Sequence, residues 1–289
     1  MTLGIIGVGL MGHGIARNLL LKGFDLRFLD HPGNRPVDEI LSLGGISCAS
    51  PAEVVSGCEA VILCVTGSAQ VEAVLTGAEG VIPAMPRGCI VIDCSTSLPD
   101  STLRMATLVR ESGGEFIDAP MTRTAQHAHE GRLNLLVGGE AEVIGRALPI
   151  LSAFAEEVRH VGTQGAGHRM KLLHNYVSLG SLALIAEAAA HAADGGVDPD
   201  AFVEVLASGG AGGTALQRIA LFITQGNRDA LPFAIANAAK DLGYYLEMAR
   251  AAGATHEVAD GISRALDHAV SQGHGADYVP ELVRILRRE

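Results

Sequence analysis

The 289-residue chain contains no tryptophan, and aromatic residues make up only 4% of it. Platforms on which nucleic-acid bases could stack are therefore scarce. Positive charge is also in deficit: 21 Lys and Arg face 32 Asp and Glu, a formal net charge of −11. That balance argues against nucleic acid as a partner, although a local cation can still hold a small anion. Cysteines are few and follow no pairing pattern. Cys48, Cys58, Cys64, Cys89 and Cys94 are odd in number and form no CxxC pair, which fits buried thiols in a reducing compartment better than a disulfide framework or a zinc site. No run of 18 apolar residues occurs, so no membrane span is expected. No basic segment followed by an apolar stretch marks a secretory leader, and a cytoplasmic location is expected. What the chain does have is apolar residues, 48% of the total, enough for a substantial core.

The strongest pattern lies near the N-terminus. Residues 3–8 form a short apolar run ending in Gly7-Val8-Gly9-Leu10-Met11-Gly12, and residues 11–22 carry Met11, Ile15 and Leu19 at helical spacing. Strand, glycine turn and helix in that order predict a dinucleotide-binding βα unit. The first glycine permits the tight turn, the second lets the backbone approach a pyrophosphate, and the third allows close helix-to-strand packing. The helix N-terminus adds partial positive charge. A second strand, 25–29, leads into Asp30. A carboxylate at that point accepts from ribose hydroxyls and repels a 2′-phosphate, which favours NAD over NADP. Arg35, five residues on, reads as a solvent-exposed loop residue that could soften this preference.

Strand and helix signals then alternate. Strands are expected at 60–65, 89–93, 115–118 and 133–137, with helices at 69–75, 99–112 and 141–154. Repeated βα units predict a doubly wound parallel sheet of Rossmann type, with ligands at the carboxyl ends of its strands. Val65-Thr66 and Ser95-Thr96 fall in loops at those ends, where hydroxyls either cap the next helix or line the cofactor site. Thr122-Arg123-Thr124 follows a further strand end. A planar guanidinium flanked by hydroxyls suits a carboxylate, sulfonate or phosphate, and a surface salt bridge is the alternative. His127 and His129 have no partner at ligand spacing, so no metal site is expected.

From about residue 165 strand signals stop, and helical segments follow at 170–193, 233–252 and 258–272, with SGGAGG at 208–213 as a flexible break. The chain thus divides into a dinucleotide-binding domain over 1–163 and an all-helical substrate and oligomerisation domain over 164–289, joined by a long interdomain helix. Alanine- and glycine-rich helices with extended apolar surface suit a homodimer or homotetramer. On the first of these helices Lys171, His174, Asn175 and Ser178 share one face. Such a stripe faces either solvent or a working cavity.

The chain resembles the β-hydroxyacid dehydrogenase family, which includes 3-hydroxyisobutyrate dehydrogenase. The resemblance runs over nearly the whole length and rests on GVGLMGHGIARNLL at 7–20, DCST at 93–96, DAP at 118–120 with the later EGRL and GG, GxGxxxKxxxN at 165–175, and KDL at 240–242. It implies NAD(H)-dependent interconversion of a short anionic semialdehyde and its hydroxy acid. It further implies that Lys171 is the catalytic acid/base, that Asn175 supports it, and that Lys240 lies close to the cofactor. Family members usually carry Ser-Gly-Gly where this chain has Thr122, Arg123 and Thr124. That swap, with the NY..S after the lysine, is similar to the 3-sulfolactaldehyde reductase branch, in which the arginine holds the sulfonate. The branch has Gly-Arg-Thr where this chain has Thr-Arg-Thr, and asparagine where this chain has His174. Carboxylates of the 3-hydroxyisobutyrate, succinic semialdehyde or tartronate semialdehyde type therefore stay open as substrates. Imine-reducing relatives generally lack the lysine. The reading from another class is a non-catalytic dinucleotide-binding protein, against which Lys171, Asn175 and Lys240 speak.

Overall fold

The computed structural model describes residues 1–287. Two compact units emerge, Met1–Lys171 and the segment from Leu172 onward. The first holds a sheet of nine strands: β1 (Thr2–Ile6), β2 (Asp25–Leu29), β3 (Ile46–Cys48), β4 (Ala60–Leu63), β5 (Ile90–Asp93), β6 (Glu115–Asp118), β7 (Met121–Thr122), β8 (Leu133–Gly138) and β9 (Ala155–Gly162). Their order is β3-β2-β1-β4-β5-β6-β8-β7, with β9 on β8. Helices of eight residues or more are α1 (Gly12–Leu21), α2 (Ser68–Thr76), α3 (Pro99–Glu111), α4 (Ala141–Leu151), α5 (Ala166–Asp194), α6 (Pro199–Ser208), α7 (Thr214–Gln225), α8 (Ile235–Ala251) and α9 (Glu257–Ala269).

The strands from β3 through β6 are parallel, as the alternating pattern predicts. Their central members are apolar along their length because helices cover both faces; every residue of β4 and β5 is buried. Beyond β6 the parallel arrangement is interrupted, since β8 runs antiparallel to β6 and β7. The reason is local. The link between β7 and β8 contains one short helix, the five-residue Ala125–His129. That helix spans about 7 Å, too little to carry the chain back along the sheet. The strand order reverses at β1, between β2 and β4, so the carboxyl ends of β1 and β4 flank the crevice where ligands of such sheets bind.

Three strands have no counterpart in the sequence pattern. β7 has only two residues. β3 has three residues. β9 pairs only with β8 and carries Glu156, Glu157, Arg159 and His160, most of them exposed. Edge strands carry charge as protection against further pairing, which erases the apolar alternation.

The second unit packs around Leu172, Leu179, Leu182, Leu242, Tyr245, Ile262 and Leu266. On α8 the buried positions Ile235, Ala238, Leu242, Tyr245 and Ala249 recur at helical spacing. Tyr245 stacks on Tyr176 with ring centroids 4.2 Å apart, and aromatic pairs are worth about 0.5–1.5 kcal/mol beyond their buried area. α5, at 29 residues, is long and apolar enough to cross a bilayer by length and composition, although polar residues interrupt its apolar stretches. In this fold its Leu172, Leu179, Leu182, Ile185 and Ala189 are core residues of the helical unit.

Candidate active site

The glycine turn between β1 and α1 separates three different demands. Gly7 has φ +100, and a Cβ there would lie 2.3 Å from the Cys64 carbonyl oxygen. A Cβ on Gly12 would lie 1.9 Å from the Gly7 carbonyl oxygen. Both glycines are therefore needed by the fold itself. Gly9 is different: its nearest neighbour would be the Gly33 carbonyl oxygen at 3.9 Å. No protein atom among the described residues fills the space above Gly9, and the first turn of α1 carries no acidic residue. An open glycine before a helix N-terminus of that kind fits a pyrophosphate. Leu10 and Met11 complete the turn, Leu10 being exposed and Met11 half-buried.

The loop after β2 folds back over this turn. Arg35 donates its backbone N–H to the Val8 carbonyl at 3.0 Å, and the Asn34 amide donates to the Leu29 carbonyl at 2.8 Å. Asp30 is exposed at the carboxyl end of β2. Two further strand-end loops are tied to each other. The Val65 N–H donates to Ser95 Oγ at 3.1 Å, and the Leu98 N–H donates to Ser68 Oγ at 2.9 Å. Ser95 is thereby committed to holding the loops together, whereas Thr66 is exposed and Thr96 half-buried beside it.

Beneath these loops lies a buried polar cluster that sequence reasoning missed. Asp118, at the end of β6, is fully buried. Its carboxylate accepts from Gln164 Nε2 at 2.9 Å, from the Gly165 N–H at 2.8 Å and from the His168 N–H at 2.9 Å. It caps the start of α5, meeting the orphan donors of the helix N-terminus with a negative charge. The His168 ring, also fully buried, makes hydrogen bonds with Thr102 Oγ1 at 2.7 Å and with the Ser95 carbonyl at 3.2 Å. Asp93 accepts from the Ser95 N–H at 2.9 Å. Burial holds the Asp93 carboxyl above its ordinary range, opposed by the neighbouring His168 and by the bonds from Ser95. No local sequence signal marks these partners, because Asp118 and His168 lie 50 residues apart.

Along α5 the burial pattern is the reverse of a solvated polar face. Met170, Leu173 and Val177 are 39%, 40% and 64% exposed, while Asn175 is 7% exposed. Lys171, His174 and Ser178 are half-buried. The stripe is therefore not a solvated face, and its polar groups need partners within the protein or a ligand. Asn175 donates through Nδ2 to Asp241 Oδ2 at 2.7 Å. Since a carboxylate only accepts, this contact fixes the amide's orientation, and Asn175 Oδ1 faces His174 Nδ1 at 3.1 Å. Lys240 Nζ lies 3.1 Å from Asp241 Oδ1, close enough for an ion pair, and 5.5 Å from the centroid of the Tyr244 ring. Asp241 was missed as well. Its signal was a carboxylate on the buried face of α8, between Ala238 and Leu242.

Comparison with known proteins shows the family. The family described as the NAD binding domain of 6-phosphogluconate dehydrogenase matches residues 2–162. The family described as the NAD-binding domain of NADP-dependent 3-hydroxyisobutyrate dehydrogenase matches residues 165–286. L-threonate dehydrogenase of Cupriavidus necator is 32% identical over 287 residues, covering 98% of this chain and 95% of that one. The chain belongs to the β-hydroxyacid dehydrogenase family. Its members are oxidoreductases acting on CH–OH groups of small hydroxy acids and semialdehydes with a nicotinamide dinucleotide. 3-Sulfolactaldehyde reductase of Escherichia coli is 37% identical over 188 residues, 65% of this chain and 63% of that one. The crystal structure of a 3-hydroxyisobutyrate dehydrogenase from Salmonella typhimurium superposes with a TM-score of 0.86 at 26% identity, covering 99% of both chains.

In this β-hydroxyacid dehydrogenase the backbone of Arg123 is unusual. The residue has φ +80 and is the one non-glycine residue at positive φ among the described residues. A β-carbon in that region costs about 1–2 kcal/mol, which a glycine would avoid. Here the guanidinium is held internally. Nη1 donates to the Arg132 carbonyl at 2.7 Å and to the Glu156 carboxylate on β9. The hydrogen bond from Arg123 holds the Glu156 carboxyl below its ordinary range. Thr124 Oγ1 pairs with His127 Nδ1 at 2.8 Å, so its hydroxyl serves the following short helix. Thr122, on β7, pairs in register with Asn134. Arg123→Gly is accordingly expected to be more stable than Arg123→Ala by about 1 kcal/mol, measured by thermal unfolding; equal stabilities would show that the backbone is unstrained at this position.

Proposed function

We propose that this chain is an NADH-dependent reductase of a short anionic semialdehyde, with Lys171 as proton donor. The observation that carries the proposal is the inverted burial of α5, which keeps Lys171, His174, Asn175 and Ser178 off the exposed face. A bound NADH supplies the hydride. Lys171 gives its proton to the carbonyl oxygen as negative charge develops there. Asn175, its amide nitrogen committed to Asp241, presents its oxygen as an acceptor one helical turn from Lys171. Gly7, Gly9, Leu10, Met11 and Gly12 with Val65, Thr66, Ser95 and Thr96 form the cradle of the cofactor. Asp30 accepts from the adenosine ribose and selects NADH over NADPH.

The anionic end of the substrate is assigned to Thr122, Arg123 and Thr124. On this reading 3-sulfolactaldehyde is the leading substrate, because a sulfonate matches a guanidinium fork flanked by hydroxyls. Arg123→Ala is then expected to raise KM for the aldehyde at least about tenfold with little change in kcat, and Arg123→Lys is expected not to restore it, since an ammonium lacks the planar fork. An unchanged KM removes the role. One observation favours a second reading. Arg123 already contacts Glu156, so a substrate whose acid end is read elsewhere, such as a hydroxy acid of the threonate kind, fits the internal pairing. Steady-state rates with NADH and NADPH over sulfolactaldehyde, succinic semialdehyde, tartronate semialdehyde and methylmalonate semialdehyde, and with L-threonate and NAD in the oxidative direction, decide between them. Absence of turnover with all of these despite NADH binding would leave a dinucleotide-binding protein without this activity.

Self-association belongs to the same proposal. α6 contains Phe202, Val203, Val205 and Leu206 yet has no buried residue, and Val205 is 68% exposed. A second copy of the chain covers such a surface in a homodimer or homotetramer. Sedimentation at micromolar concentration tests it, and a monomer throughout would refute it.

A further inference from the structure

The fully buried His168 has no part in the chemistry assigned to Lys171 and Asn175, and its contacts connect elements that are distant in sequence. Its ring touches the Ser95 carbonyl in the loop after β5 and Thr102 in the first turns of α3. Its backbone N–H is held by Asp118 at the end of β6. Three residues further along α5 stands Lys171. Ser95 in turn receives the Val65 N–H from the loop after β4. One imidazole is therefore the link between two cofactor-side loops and the first turn of the helix that carries the proton donor.

The hydrogen-bond chemistry fixes part of the ring's state. A carbonyl oxygen only accepts, so Nε2 carries the hydrogen that goes to Ser95. Nδ1 meets a hydroxyl, which can donate or accept. Asp93 Oδ2 lies 3.8 Å from Nε2 and Asp118 Oδ2 lies 4.0 Å from Nδ1. Both carboxylates are buried, so a displaced ring would strand polar groups away from water at a substantial cost.

We propose that His168 is a positioning residue for the reaction: its ring fastens the Ser95 loop to the first turn of α5 and so sets Lys171 against the cofactor-side loops. The proposal rests on the reading of Lys171 as the proton donor. Geometry supplies two contrasting substitutions. The amide nitrogen of glutamine reaches about as far from the backbone as Nε2, so His168→Gln can keep the bond to Ser95. The side chain of asparagine ends near the position of Nδ1, so His168→Asn loses it.

The test pairs turnover with hydrogen exchange of the free protein. In His168→Asn, exchange of the amides over 94–98 is expected to speed up about tenfold or more, and kcat to fall about 10- to 100-fold, the scale of a misplacement near 1 Å. In His168→Gln both are expected to stay within about threefold of the parent. Unchanged exchange in His168→Asn overturns the fastening, and unchanged kcat overturns its role in the reaction. Equal losses in both variants also overturn the proposal, since they would reflect loss of the imidazole itself. If His168→Asn does not fold, Thr102→Val, which removes the Nδ1 partner at nearly constant volume, is expected to shift both readouts in the same direction, and no shift in either overturns the proposal. Because exchange is read without cofactor or substrate, a wrong assignment of Lys171 shows up separately, as turnover surviving in Lys171→Ala.

Discussion

Lys171→Ala is expected to lower kcat by about 10²–10⁴, the usual contribution of a positioned general acid, while NADH affinity stays within about twofold. The split follows from where the residue sits. The glycine turn, the open space above Gly9 and the exposed Asp30 belong to β1, α1, β2 and the loops between them. Those elements pack on one another, and the Lys171 amine is no part of them. Removing it should leave the dinucleotide cradle intact. Lys171→Arg should not rescue turnover, because a guanidinium holds its proton too tightly to give it up and retake it. Stopped-flow single-turnover rates and a fluorescence titration with NADH make the two measurements. Near-parental turnover in Lys171→Ala would end the proposed chemistry, and a loss of NADH binding equal to the loss of rate would recast the lysine as a binding group.

The second large effect separates two glycines of one turn. Gly12→Ala places a Cβ 1.9 Å from a backbone carbonyl oxygen, a clash that no side-chain rotation relieves. Destabilisation of about 3 kcal/mol or more is expected, at the upper end of what overpacking costs and a large share of the stability of an ordinary fold. Gly9→Ala meets nothing closer than 3.9 Å. Its melting temperature should stay within about 2 °C of the parent, while NADH affinity falls at least about tenfold, since the added methyl occupies the space assigned to pyrophosphate. Thermal melts and NADH titration of the pair give the result. A Gly9→Ala protein that binds NADH normally would contradict the cradle, and a Gly12→Ala protein of parental stability would contradict the packing of α1 on β1.

What could be read in the chain beforehand follows the range of the forces involved. Local patterns carried the first unit well: β2 and β6 lie where the apolar runs put them, and α1 starts at the last glycine of its turn. The glycine turn was legible because each glycine answers a steric demand within a few residues or from the adjacent strand. β9 was not legible, because an edge strand studded with charge has no periodic signature. The bracing of the site was not legible either. Asp118 was visible only as part of a motif, and its capping of α5 acts across 47 to 50 residues. Asp241 orients Asn175 from 66 residues away. Arg123 could be read as an anion-binding residue by its chemistry, but its contact with Glu156 depends on a strand that the sequence concealed.

The Asp118 cap on α5 has a consequence for which changes of chain length this enzyme can accept. With Gly165 and His168 pinned to one carboxylate, the azimuth of Lys171 is set by counting residues from that anchor. Inserting or deleting one residue between His168 and Lys171 would rotate the amine by about 100° and translate it by about 1.5 Å, even if every side chain kept its identity. The short span from 165 to 171 therefore behaves as a ruler, and variation in its length should be far less tolerated than variation in the residues that fill its outward-facing positions.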